Sequence, residues 1–176
     1  MMKNSEKGYI QIYTGNGKGK TTAALGLALR AAGHGMKTYM GQFMKGQWYG
    51  ELTSLKDHPH ITIEQYGDTT CIRKEDVMPK HINQAVTGLG KAERAMHSGL
   101  YDILILDEVH VAVWFGLLTE EEVLYFLNQR VETMEIILTG RNATDKLIEA
   151  ADLVSDIQEI KHYYHQGLSA RNGIER

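Results

Sequence analysis

The sequence holds one cysteine, Cys71, and two prolines among its 176 residues. A lone cysteine excludes an internal disulfide and suits a reducing compartment, and the thiol is read as buried or incidental rather than reactive. Two prolines leave no proline-rich linker, and no internal repeat or low-complexity tract is present. Long apolar runs are missing as well. No segment approaches the ~18 apolar residues of a membrane span, and the opening stretch, MMKNSEKGYIQIY, lacks the apolar core of a secretory signal. The expected location is therefore cytoplasmic, with no membrane partner. Nor does charge of one sign dominate. With 19 Lys and Arg against 22 Asp and Glu, net charge −3, no global positive field recruits nucleic acid.

What is there reads as an ordinary globular chain, 43% hydrophobic and 23% charged. Its length predicts a single domain, 1–176, with residues 1–8 flexible and roughly 70% of the unfolded surface buried. Short apolar runs alternate with helical patterns, which predicts βαβ units. Strands are expected at 9–14, 37–43, 61–66, 102–108, 134–140 and 153–161. Helices are expected at 20–33, with Leu25, Leu29 and Ala32 on one stripe and Gly33 and Gly35 ending it; at 79–98, entered by Pro79; and at 119–129, where Thr119 and Glu122 form a capping box. A short helix follows from about Thr144. The strands DILILDE and MEIILTG carry consecutive apolar residues, so both faces should be buried. The expected fold is three-layer α/β with a mainly parallel, roughly six-stranded sheet, binding ligands at the strands' carboxyl ends.

The stretch YTGNGKGKTT (13–22) lies between the first strand and the first helix. It is close to the phosphate-binding pattern G-x-x-x-x-G-K-[ST], but Thr14 stands where that pattern needs glycine. Counted from Gly15, only three residues precede Gly19. Gly15, Gly17 and Gly19 still allow a tight turn whose N–H groups converge on an anion, and the following helix adds its positive end. Lys20 supplies a point charge for phosphates, and Thr21 a hydroxyl for a magnesium ion. Asn16, Lys18 and Thr22 complete the loop. Asp107 and Glu108 emerge from a buried strand on the same edge, where a carboxylate can hold that ion. Together these predict a nucleoside triphosphate with Mg2+. They do not name a reaction.

Four stretches taken together resemble the corrinoid adenosyltransferases built on a P-loop, RecA-like fold: TGNGKGKTTAALG with its short loop, GQFMKG (41–46), LILDE with ILTGR (137–141), and the ending KHYYHQGLSARNGIER (161–176). The resemblance implies transfer of the 5′-deoxyadenosyl group of ATP to the Co(I) centre of a corrinoid, cobalamin or a precursor, with release of triphosphate. It implies ATP held in the reverse sense to most P-loop enzymes, a homodimer, and a separate flavoprotein that reduces cobalt. The roles it implies are phosphate binding by Gly15 through Thr22, charge neutralisation by Lys20, and metal binding by Thr21 with Asp107 or Glu108. Since Co(I) is itself a strong nucleophile, no Ser–His or Cys–His pair is needed.

Two departures stand out. The loop YGDTTCIRKED (66–76) lacks the Phe-x-Trp pair that the resemblance leads one to expect against the corrinoid, leaving Tyr66 or Trp48 as substitutes. Only about eight residues precede the first strand, where some relatives carry a covering helix. Among lesser signals, Arg141 and Lys45 follow strands on the binding edge, and Trp48 and Tyr49 occupy a glycine-flanked loop suited to stacking. The histidines of HPH (58–60) and HYYH (162–165) have no cysteine or spaced acids beside them and are read as surface residues. Two other readings of the loop stay open: a nucleoside-kinase-like phosphotransferase and a RecA-like ATPase module.

Overall fold

The computed structural model describes residues 6–175 and alternates strand and helix almost throughout. β1 (Ile10–Thr14) passes through the glycine loop into α1 (Lys20–Ala32). There follow β2 (Thr38–Phe43), α2 (Gly50–Ser54), β3 (Ile61–Tyr66), α3 (Pro79–His97), β4 (Ile103–Asp107) and α4 (Val109–Trp114). α5 (Glu120–Asn128), β5 (Glu135–Thr139), α6 (Asp145–Glu149) and β6 (Leu153–Asp156) complete the set. The six strands form one sheet in the order β3-β2-β4-β5-β1-β6, and every pairing is parallel. All carboxyl ends therefore share one edge.

The consecutive apolar residues of β4 are all buried because the pleat sends them to opposite layers. Ile103 and Ile105 join a cluster with Ala24, Ala28 and Ala31 of α1. Leu104 and Leu106 join the other layer, with Ala85 and Ala92 of α3, Ala112 of α4 and Phe126 of α5. Helices cover both faces of a parallel sheet, as the apolar strands require.

The buried face of α1 follows the expected stripe only in part. Leu25 and Ala32 are partly buried against the core, but Leu29 is 50% exposed, while Ala24 and Ala28 are fully covered. The helix's rotation is fixed at its start, where Lys20 must point into the loop, and Ala24, Ala28 and Ala31 follow on that same face. Small residues there let the helix lie close to the sheet. Gly33 keeps right-handed helical geometry, and the left-handed turn falls at Gly35, φ 78°.

The other helix signals correspond to structure. Pro79 opens α3. The Glu122 backbone N–H donates to Thr119 Oγ1, and Glu122 Oε2 accepts from the Thr119 N–H. β6 ends at Asp156, five residues before the expected 161. It is an edge strand paired only with β1, from Gln11–Leu153 to Thr14–Asp156, and β1 stops where the glycine loop begins. The short helices α2 and α4 carry no periodic signal long enough to anticipate. Of the N-terminal residues expected to be flexible, 1–5 lie outside the described residues; Gly8 is buried, and its N–H donates to the Glu132 carbonyl.

Candidate functional site

Gly15 and Gly19 hold φ of 95° and 122°, conformations that other residues rarely adopt, and these bend the loop after β1 back onto α1. A methyl group on Gly15 would meet Asp156 Oδ1 at 2.2 Å. The Gly17 N–H donates to the Ile157 carbonyl, tying the loop to the segment after β6. Inside the loop, Lys20 Nζ donates to the carbonyls of Gly15 and Gly17, both at 2.7 Å. Burial pushes its pKa down, against the pull of Glu108, so this ammonium is a charge short of an anion.

Thr21, one residue on, faces the end of β4. Its hydroxyl donates to Asp107 Oδ1 at 2.8 Å, and Thr139 Oγ1 donates to the same oxygen at 2.7 Å. Lys45 Nζ donates to Asp107 Oδ2 at 2.8 Å, with Gln42 Nε2 at 3.3 Å. Asp107 is fully buried, and four donors around two oxygens replace the water it has lost. Burial opposes the charge on Lys45, yet Asp107 prevails and holds its pKa above the usual lysine value.

Glu108 has a different setting. Its backbone is left-handed, φ 60°, and its N–H donates to Thr139 Oγ1. Burial first, and the Asp107 charge second, push its carboxyl pKa up. A cation in reach would stabilise the ionised form. Behind it His110 is buried, and burial holds its pKa down to about 4, so it stays neutral and adds no charge.

An open cavity of about 830 Å³ lies over the loop. Lys20, Thr21 and Thr22 form its floor, with Lys45, Glu108 and Arg141 around it. The far wall comes from the end of the chain, including His162 and residues Gly173 to Glu175. Lys18 Nζ donates to the Ile174 carbonyl at 2.8 Å, closing the wall onto the loop. Glu175 is held by Tyr163 Oη and by Arg171, which fixes the shape of that tail.

Most residues singled out from the sequence thus meet at one edge. Gly17, Lys18, Gly19, Lys20, Thr21, Thr22, Glu108 and Arg141 line the cavity. Gly15 and Asn16 do not line it; Gly15 acts through its carbonyl, on Lys20. Asp107 sits beneath the floor, reached through Thr21 and Lys45. Tyr49 lines the cavity, but Trp48 is 61% exposed outside it and donates to Thr53. Tyr66 is buried and bonded to Tyr39 and Glu64, so it offers no face to a corrinoid. Cys71, expected to be buried or incidental, is exposed and accepts a bond from Gln47.

Sequence reading gave Thr139 no role, placed Gln42 only within the GQFMKG stretch, and put Lys45 on the binding edge without a partner. Each lies at or just beyond a strand's carboxyl end. A polar residue ending an otherwise apolar buried strand is the signal that could have found the first two.

Comparison with known proteins extends this picture to the whole chain. The family model described as ATP:corrinoid adenosyltransferase BtuR/CobO/CobP matches residues 6–176. A corrinoid adenosyltransferase from Escherichia coli (strain K12) is 37% identical over 175 residues, covering 97% of this chain and 86% of that protein. Corrinoid adenosyltransferase CobA from Salmonella typhimurium is 38% identical over 174 residues, with the same coverage of each chain. Among solved structures, the KaiC-like protein PH0186 from Pyrococcus horikoshii OT3 superposes with a TM-score of 0.57 at 18% identity, covering 88% of this chain and 75% of that one, a likeness of fold.

Proposed function

Since the chain belongs to the ATP:corrinoid adenosyltransferase family, and so transfers the 5′-deoxyadenosyl group of ATP to the Co(I) centre of a corrinoid with release of triphosphate, we propose how its own residues divide that work. The loop from Gly15 to Thr22 grips the triphosphate, with the N–H groups of Lys18 to Thr22 and the positive end of α1 facing it. Lys20 leaves the carbonyls of Gly15 and Gly17 for the phosphate oxygens, exchanging two neutral acceptors for an anion. The kinase-like and ATPase-module readings fall away with the family assignment.

In the transfer, the cobalt electron pair forms a Co–C bond to the ribose 5′ carbon while the C5′–O bond breaks toward the triphosphate. No protein nucleophile is needed, because Co(I) supplies the electron pair. The protein aligns two substrates and stabilises a departing polyanion. The triphosphate therefore lies on the loop with its ribose end turned toward the incoming cobalt, the reverse of a phosphoryl transfer. Arg141, on the rim, adds a further cation for nucleotide or corrinoid.

The donor set fits Mg2+: a hydroxyl, Thr21 Oγ1, and two carboxylates, Asp107 and Glu108, all hard oxygens. Two observations support that fit. An ammonium lies between the Asp107 and Thr21 oxygens, and Lys45, Lys20 and Arg141 pull the Glu108 carboxyl toward its ionised form against burial and the Asp107 charge. When bound, the ion would screen the charge that grows on the leaving triphosphate. Family precedent further supports a homodimer, a flavoprotein that reduces the cobalt, and a cytoplasmic location.

The carrying observation is the match of the family model along residues 6–176. Its test is product analysis with ATP, cobalamin and a reductant that generates Co(I). Triphosphate and a light-sensitive adenosyl–cobalt product are expected in equal amounts. ADP with no cobalt–carbon product would refute the reading.

A further inference from the structure

Lys45 occupies an unusual position for a charged side chain. The side chain is 12% exposed, and its ammonium lies 2.8 Å from Asp107 Oδ2, 3.4 Å from Thr21 Oγ1 and 5.0 Å from the Tyr49 ring centre. The backbone is shaped to put it there. Met44, the preceding residue, is left-handed at φ 57°, a conformation costly without glycine. Its N–H donates to the Tyr66 carbonyl, and a methyl group on Gly67 would lie 2.6 Å from the Lys45 backbone nitrogen. The turn is clasped from behind, so the side chain is aimed at β4.

The oxygens that hold this ammonium belong to two of the three groups that the reading above assigns to Mg2+. Two cations cannot share them. Asp107 has no water around it, so it needs a positive neighbour at all times. We infer that Lys45 fills the metal position in the nucleotide-free protein, is displaced when the metal and nucleotide enter, and then binds the polyphosphate as its second lysine. The inference rests on the proposed metal site and goes beyond it. Lys45 already lines the cavity that holds Lys20, so the move is a side-chain rotation across one pocket. A compact ammonium on four carbons suits that exchange better than a planar guanidinium.

The test is metal binding, followed with Mn2+ by its magnetic resonance signal, without nucleotide and then with tripolyphosphate. Wild type should take up free Mn2+ poorly. Lys45→Met should bind free Mn2+ about ten- to a hundredfold more tightly and Mn2+–tripolyphosphate roughly tenfold more weakly. Lys45→Gln serves should Lys45→Met fail to fold, and Mn2+ should raise the melting temperature of either variant more than that of wild type. Unchanged Mn2+ and tripolyphosphate affinities in the variant overturn the inference. Adding Asp107→Asn separates the two ideas. Binding that needs Asp107 but ignores Lys45 sinks only the exchange, whereas binding indifferent to Asp107 sinks the metal site as well.

Discussion

The loops at 15–19 and 67–78 lie on the same edge of the sheet and are built by opposite means. The first is made by backbone: two glycines at positive φ, a main-chain bond from Gly17 to Ile157, and carbonyls that hold Lys20. The second is held by side chains. Asp68 accepts from Lys80 Nζ at 2.6 Å and from His81 Nε2 at 3.1 Å, with Gln84 at 3.4 Å. These partners hold the Asp68 pKa down to about 2. His81 Nδ1 accepts from the Met78 N–H, so its other nitrogen carries the proton that Asp68 receives. Beneath this loop Tyr66 bonds to Tyr39, and Gly88 of α3 packs directly against the Tyr66 ring. On the proposed reading the loop made of main chain takes the polyphosphate, and the loop made of side chains is the one that substitution can rebuild without disturbing it.

That contrast can be broken at several points. The largest effect is expected for Lys20→Ala, which should lower turnover by roughly a hundred- to a thousandfold. Its melting temperature should change little, since the side chain bonds only to loop carbonyls. Near-normal turnover in that variant would remove the backbone loop from the chemistry. Asp107→Asn should lower turnover by a smaller factor, and it leaves the Lys45 ammonium buried without a counter-charge. Denaturant unfolding should show a loss of about 3 kcal/mol; a smaller loss would mean that water reaches the pair.

The side-chain half makes its own predictions. Burial pushes the Tyr39 pKa up to about 12, while the unfolded chain ionises near 10. The folded form thus holds its proton longer, so stability is complete below pH 10 and is lost as the pH climbs toward 12. The fall should be roughly 2 kcal/mol, and Tyr39→Phe should flatten that slope. An unchanged slope would show that the tyrosine pair does not carry the alkaline response. The smallest effect is expected for Asp68→Ala, which unties the loop from α3. The KM for corrinoid should rise about tenfold, with the KM for ATP unchanged. An equal rise in both would show that the two loops do not act separately.

The same division explains what the sequence disclosed. The glycine loop, the acids after β4 and the cap at Thr119 are local devices, written in consecutive residues, and they were legible. So were the buried strands, whose apolar runs have only one place to go. The packing face of α1 was legible only in part, because its rotation is set by where Lys20 must point rather than by its largest side chains. The end of β6 depended on where its partner β1 stopped, a fact about another strand. Lys45 was legible only as a lysine following a strand on the binding edge. Its role follows from Asp107, 62 residues later in the chain, and only the fold brings them together.

One feature of the tail has a practical side. With every strand parallel, Gly8 enters the sheet at the edge away from the cavity, while residues 173–175 return to form the cavity's own wall. Gly173 to Glu175 thus stand at the mouth of the cavity proposed to take the nucleotide. A purification handle or fusion partner placed there would sit in the traffic, whereas one placed ahead of Gly8 would stand behind the building.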